Sequence, residues 1–148
     1  MRHAPEDQRQ APCATRLAET RERVKWIVAA FVYVLMILFL ASLPGSLLTP
    51  SHGTFQRYLE ILQNALHVPL YAGLAWLLVH ATCDQDSRVS RWAAGTIVLT
   101  ALAIAITDEW IQSHVPARTA SLFDIGLDLI GVLAVAIPRI ARRTAPRA

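Results

Sequence analysis

"WIVAAFVYVLMILFLASL", Trp26 to Leu43, is a run of eighteen residues without one charged side chain. A helix of roughly 18 to 20 residues crosses a hydrocarbon core of about 30 Å, so this run reads as a membrane span. Pro44 and Gly45 end it with a strong breaker pair. A cleaved signal peptide is the rival reading. Against it stand the long preceding tail, an apolar run beyond the usual ~7 to 15 residues, and the lack of a clear small-x-small cleavage site. An uncleaved anchor is expected.

On the N-terminal side, residues 1–22 are polar, with Pro5 and Pro12 and no periodic apolar pattern, and a disordered cytoplasmic tail is expected. On the other side comes the linker "PGSLLTPSHGTFQRYLE", residues 44–60. Phe55, Tyr58, Leu59 and Leu62 recur there at helical spacing, which suggests an interfacial lead-in to a second span from about Ile61 to Ala81. Gln63, Asn64, His67 and Pro69 interrupt that span near its start. "TCDQDSRVSR", residues 82–91, is a short polar loop. A third span runs from Trp92 to about Ile111 and turns polar at Thr107, Asp108 and Glu109. A fourth, Leu122 to Ile137, carries Asp124 and Asp128 in its first two turns. The expected fold is an all-α integral membrane protein with four transmembrane helices within residues 23–140, followed by a basic tail, 141–148.

Basic residues set the orientation. Arg16, Arg21, Arg23 and Lys25 precede the first span, Arg88 and Arg91 lie in the middle loop, and Arg139, Arg142, Arg143 and Arg147 close the chain. The other two loops hold only Arg57 and Arg118. The positive-inside rule therefore places both termini in the cytoplasm, which requires an even number of spans. The same distribution explains the net charge of +3 without a nucleic-acid partner, since the cations flank spans rather than line a groove. Charged residues make up 17% of the chain, against about 25% in soluble domains, consistent with helices that face lipid. Cys13 and Cys83 both fall in expected cytoplasmic segments and lack metal or redox spacing.

This topology gathers the unusual polar residues at the outer face: His67, Asp108, Glu109, Gln112, His114, Arg118, Asp124 and Asp128. Asp124 and Asp128 share a helical face, as do Asp108 with Gln112, Glu109 with Gln112, and His67 with Tyr71. A carboxylate at the bilayer centre costs about 2.5–3.5 kcal/mol, so each set must turn toward the bundle interior or a wet cavity. The Arg118 fork can bind two carboxylates and is a candidate hub for the loop, pairing with Glu109 or Asp124. Three readings follow: a structural network that closes the outer loop, a pocket for a polar head group, or a metal site, for which no tight ligand spacing is present. No cofactor is expected, and no metal is assigned. Trp76, Trp92, Trp110 and Tyr58 read as interface anchors, and Gly73, Gly131 and Ala134 as close-packing positions. His80 reads as incidental. Ser121 lacks a positioned base and an elbow-like turn, which argues against a serine nucleophile.

The segment "TDEWIQSHVPARTASLFDIGLDLIGVL", residues 107–133, resembles the hallmark of the VanZ-like family, named for a teicoplanin-resistance protein. In order, the matching positions are Asp108, Glu109, Gln112, Pro116, Arg118, Asp124, Asp128 and Gly131. "HVPLYAGLA", residues 67–75, resembles the family's earlier His-x-x-x-Tyr motif through His67 and Tyr71, and Ser42 with Pro44 fits its Ser-x-Pro. The resemblance spans roughly residues 26–137. The family often has Asp-Lys shortly before the histidine, where this chain has Gln63-Asn64, and Ala117 stands where the family commonly has glycine. The resemblance implies a bacterial cytoplasmic-membrane protein linked to low-level teicoplanin resistance, a phenotype rather than a reaction. The binding reading takes membrane lipids or a lipid-linked envelope precursor as partner. His67, Tyr71, Asp108, Glu109, Gln112, Arg118, Asp124 and Asp128 line its pocket, and Arg118 meets the anionic group. The enzyme reading makes Glu109 or Asp128 a general base assisted by His67, acting on a lipid-linked substrate. The structural reading makes the chain a partner subunit of envelope proteins. Four spans form a pore only as an oligomer and no internal repeat is apparent, which disfavours a transporter.

Overall fold

The computed structural model describes residues 7–45, 54–82, 89–116 and 118–141, with side chains from residue 18 and excluding 54–60 and 141. Cys83, Arg88, Ala117, Arg142, Arg143 and Arg147 lie outside the described residues, as do the side chains of Cys13, Arg16, Phe55, Arg57, Tyr58 and Leu59. Four helices follow one another: α1 (Asp7–Ser42), α2 (Thr54–Thr82), α3 (Arg91–Gln112) and α4 (Leu122–Ala141). The described residues contain no strand.

The segments Ala18–Ser42, Ile61–Thr82 and Arg91–Gln112 are long and apolar enough to cross a membrane. α4 has the length, at 20 residues, but every 18-residue stretch of it contains Asp124, Asp128 and Arg139. One expectation changes outright. The tail expected to be disordered is helical from Asp7, continuous with the first span. Once the span has supplied the costly nucleus, each further residue adds one hydrogen bond, and Ala, Glu, Arg and Lys between residues 18 and 25 propagate a helix well.

α2 packs against all three other helices, most extensively against α4, whereas α1 and α4 do not meet. The core is a set of stripes at helical spacing. α2 buries Tyr71, Leu74, Ala75 and Val79, α3 buries Ala94, Ile97, Ala101 and Ala105, and α4 buries Val132 and Ala136. Each stripe continues into polar residues at the same end of the bundle: His67 on α2, Asp108 and Gln112 on α3, Asp124 and Asp128 on α4. These polar side chains are therefore buried by the periodicity that builds the core.

The outward faces are apolar. On α1 alone Phe31 and Phe39 are each 62% exposed, with Val28, Val32 and Leu35 beside them. A continuous stripe of this kind suits lipid and would be an aggregation hazard in water. Trp92 and Trp110, at opposite ends of α3, are also exposed, in keeping with their reading as interface anchors.

Gly131 sets the distance between α2 and α4. A Cβ built there would lie 2.2 Å from the Val68 carbonyl oxygen and 3.0 Å from the Ala72 nitrogen. Gly73 likewise admits Tyr33, whose hydroxyl donates to the Leu70 carbonyl at 3.0 Å. Ala134, expected at a packing face, is exposed instead, because it sits about 200° around the helix from buried Val132. Gly131→Ala is expected to lower stability in detergent by about 1–3 kcal/mol, since the obstructing atoms are backbone. Gly95→Ala meets nothing within 4 Å and should be neutral or stabilising by up to ~1 kcal/mol. Melting curves of the two variants in one detergent compare them directly.

Candidate functional site

The polar ends of the three stripes converge beside the end of α1. His67, Asp108, Glu109, Gln112, Asp124 and Asp128 are all buried, and Tyr71 lies one helical turn below His67 with no exposed surface. Nδ1 of His67 lies 2.8 Å from Oδ1 of Asp128, which ties α2 to α4. Asp128 is 1% exposed, so this contact sits at the centre of the cluster. On α3, Gln112 Nε2 donates to Asp108 Oδ2 at 3.4 Å across one turn.

Glu109 faces the start of α4. Its Oε2 accepts the Ser121 amide at 2.6 Å, and Ser121 in turn caps α4 by accepting the Phe123 amide on its hydroxyl at 3.1 Å. The role of Ser121 is thus structural. His67, Asp108 and Glu109 each offer a ligand atom, all within 4.8 Å of one another. Four buried oxygens of the cluster have no hydrogen-bond partner among the described residues: Tyr71 Oη, Glu109 Oε1, Asp124 Oδ1 and Asp128 Oδ2.

Arg118 departs from the expected hub. Its guanidinium forks onto no carboxylate among the described residues. Instead Nη2 donates to the Leu40 carbonyl at 3.0 Å, Nε to the Leu43 carbonyl at 3.4 Å, and Nη1 to Gln112 Oε1 at 3.4 Å. The first two carbonyls lie at the C-terminal end of α1, Leu40 in its last turn, where it also accepts the Leu43 amide at 3.3 Å, and Leu43 just beyond it. A cation there also meets the negative end of the helix dipole. A backbone bond from Gly45 to the Pro116 carbonyl at 3.3 Å reinforces the same junction. The loop is therefore clamped to α1, and Asp108 and Glu109 act on Arg118 only at longer range. Burial draws the guanidinium below its ordinary value, against the pull of those two carboxylates, and it stays charged at any physiological pH.

Two histidines stay apart from the cluster. His114 is exposed and folds back on its own turn, its Nδ1 2.8 Å from the Trp110 carbonyl. His80 lies at the opposite end of the bundle against Trp26 and Trp76, with ring centroids 4.8 and 4.2 Å away. That aromatic cluster joins α1 to α2 and was not foreseen. A helical spacing search between Trp76 and His80, four residues apart, would have found half of it.

A cleft of about 270 Å³ opens between α1 and α2 and ends at the cluster. Its walls are largely aliphatic, including Ile37, Leu66 and Leu70, and its polar end is formed by His67, Asp108, Gln112 and Arg118. Leu40, Leu62 and Leu66 line it and are themselves exposed, so the cleft opens sideways through the apolar flank of the bundle.

Fold and site together define an all-helical protein with membrane-length helices and a buried, largely acidic cluster at one end. No family model, curated protein or solved structure matches the chain.

Proposed function

We propose that this chain is a VanZ-like, four-span protein of the bacterial cytoplasmic membrane, with both termini in the cytoplasm. In this reading its outer-face cleft holds the head group of a lipid or lipid-linked envelope precursor. The observation that carries it is the shape of the cleft: aliphatic walls open to the flank of the bundle and a polar end at Arg118. An acyl or prenyl chain suits the walls, and an anionic group suits the guanidinium, which takes phosphate or carboxylate with directed hydrogen bonds. α4 then crosses the membrane with Asp124 and Asp128 turned into the bundle, which removes the objection that their charge raises to a span.

A second reading has a specific observation behind it. The His67–Asp128 contact, with Glu109 offering a carboxylate oxygen within 4.8 Å of a His67 ring nitrogen, suits acid/base work by a hydrolase or transferase acting on the same lipid-linked substrate. Glu109→Gln would then abolish turnover while leaving binding intact.

The family phenotype gives the test. In a glycopeptide-sensitive host, wild type should protect more against teicoplanin than against vancomycin. Glu109→Gln, Arg118→Ala and Asp124→Asn, at membrane levels matched by immunoblot, should not protect. Equal susceptibility with and without the wild-type protein would remove the resistance role.

A further inference from the structure

We propose that His67, Asp108 and Glu109 form a binding site for one divalent transition-metal ion such as Zn²⁺ at the inner end of the cleft.

The argument starts from the donors. One histidine and two carboxylates, contributed by α2 and α3, bring their ligand atoms within 4.8 Å of one another. Two ligands at about 2.1 Å from one ion lie at most about 4.2 Å apart, so modest side-chain rotation closes the site. All three are buried, which distinguishes them from the acidic groups that crowd exposed surfaces.

An independent observation points the same way. Glu109 is only 5% exposed, its Oε2 is held by the Ser121 amide, and its buried Oε1 has no partner among the described residues. A carboxylate oxygen left in that state loses the hydration of water and gains nothing in exchange. A cation among His67, Asp108 and Glu109 satisfies it.

The surroundings are those of a metal site. Metal-bound histidines almost always offer their second ring nitrogen to a carboxylate, carbonyl or water, which fixes ring orientation and tautomer. Asp128 does this at Nδ1 of His67, leaving Nε2 to ligate. Gln112 holds Asp108 and the Ser121 amide holds Glu109, so each of the three ligands has a supporting partner. The sequence left a metal site as one reading without tight ligand spacing, because its ligands come from two helices and its supports from α3, α4 and the loop between them. Three protein ligands leave a coordination position open. His67 and Asp108 also line the cleft, so a head-group oxygen could take that position; this last step alone rests on the function proposed above.

The test uses the full chain in detergent, tag-free, stripped with chelator and then dialysed against zinc sulfate. Metal content is read by mass spectrometry and affinity by calorimetry. One zinc per chain is expected. His67→Ala and Glu109→Gln should each lose it, and Asp128→Asn should weaken it about 10–100-fold through the histidine it orients. His80→Ala and His114→Ala should bind as wild type does. Glu109→Gln is isosteric, and its folding is checked by elution volume and melting. Zinc absent from wild type, or bound equally by wild type, His67→Ala and Glu109→Gln, overturns the proposal. Neither result bears on lipid retention, which is measured separately.

Discussion

His67→Ala is expected to destabilise the bundle by about 3–5 kcal/mol in chelator-treated protein, more than any other single substitution in the cluster. Asp128 is 1% exposed, and among the described residues its only hydrogen-bond partner is the His67 ring. Its second oxygen already lacks one. Removing the imidazole therefore leaves a buried carboxylate with no partner, among three further acids. Asp128→Ala removes the same contact but also removes one of the crowded carboxylates, so it should cost less. Replacing both residues with leucine should recover much of the loss, since apolar substitutes of similar volume often match or exceed a buried pair. Denaturant titration in micelles reads the two single variants and the double leucine variant on one scale, and His67→Ala/Asp128→Ala closes a double-mutant cycle for the pair. Equal costs for His67→Ala and Asp128→Ala would show that carboxylate crowding contributes nothing.

Arg118→Ala should separate binding from stability. The guanidinium makes three hydrogen bonds to α1 and Gln112, two of them at 3.4 Å, and it is partly exposed. Two of the three are long and the side chain is partly exposed, so losing them is expected to cost about as much as one good hydrogen bond of a charged group, roughly 1.5–3 kcal/mol of stability. A charge-assisted hydrogen bond to an anionic head group is worth about 1.5–3 kcal/mol, so lipid affinity should fall roughly 10–150-fold. Arg118→Lys should fall between the two, because an ammonium cannot cap two carbonyls and meet Gln112 and phosphate together. Lipid titration by native mass spectrometry gives the affinities, and melting in the same detergent gives the stability. A fall in stability without a fall in affinity would make Arg118 a loop clamp only.

Much of the architecture was legible because it rests on local pattern. The uncharged run from Trp26 and the apolar stretches ending at Thr82 and Gln112 announce membrane-length helices, and the Asp124–Asp128 spacing announces a buried polar stripe. What escaped is non-local. Nothing in the chain near Arg118 says that its guanidinium will cap α1, about 75 residues earlier. Burial at one end was readable for His67 and Asp128, but their pairing depends on how closely α2 approaches α4, which Gly131 permits. His114 resembled a cluster member by position, yet the turn after Gln112 points it back to Trp110. The N-terminal tail looked disordered by composition alone, because its helix is templated by the span that follows.

The central claim is that the cleft ending at Arg118 holds a lipid head group, and native mass spectrometry of the protein released from micelles tests it most directly. The expected result is one anionic phospholipid or lipid-linked precursor retained per chain, lost in Arg118→Ala and blocked by Ala41→Trp, which puts a large side chain into the cleft lining. A wild-type protein that emerges without lipid and takes up none on titration, or one that retains lipid equally in both variants, would contradict it.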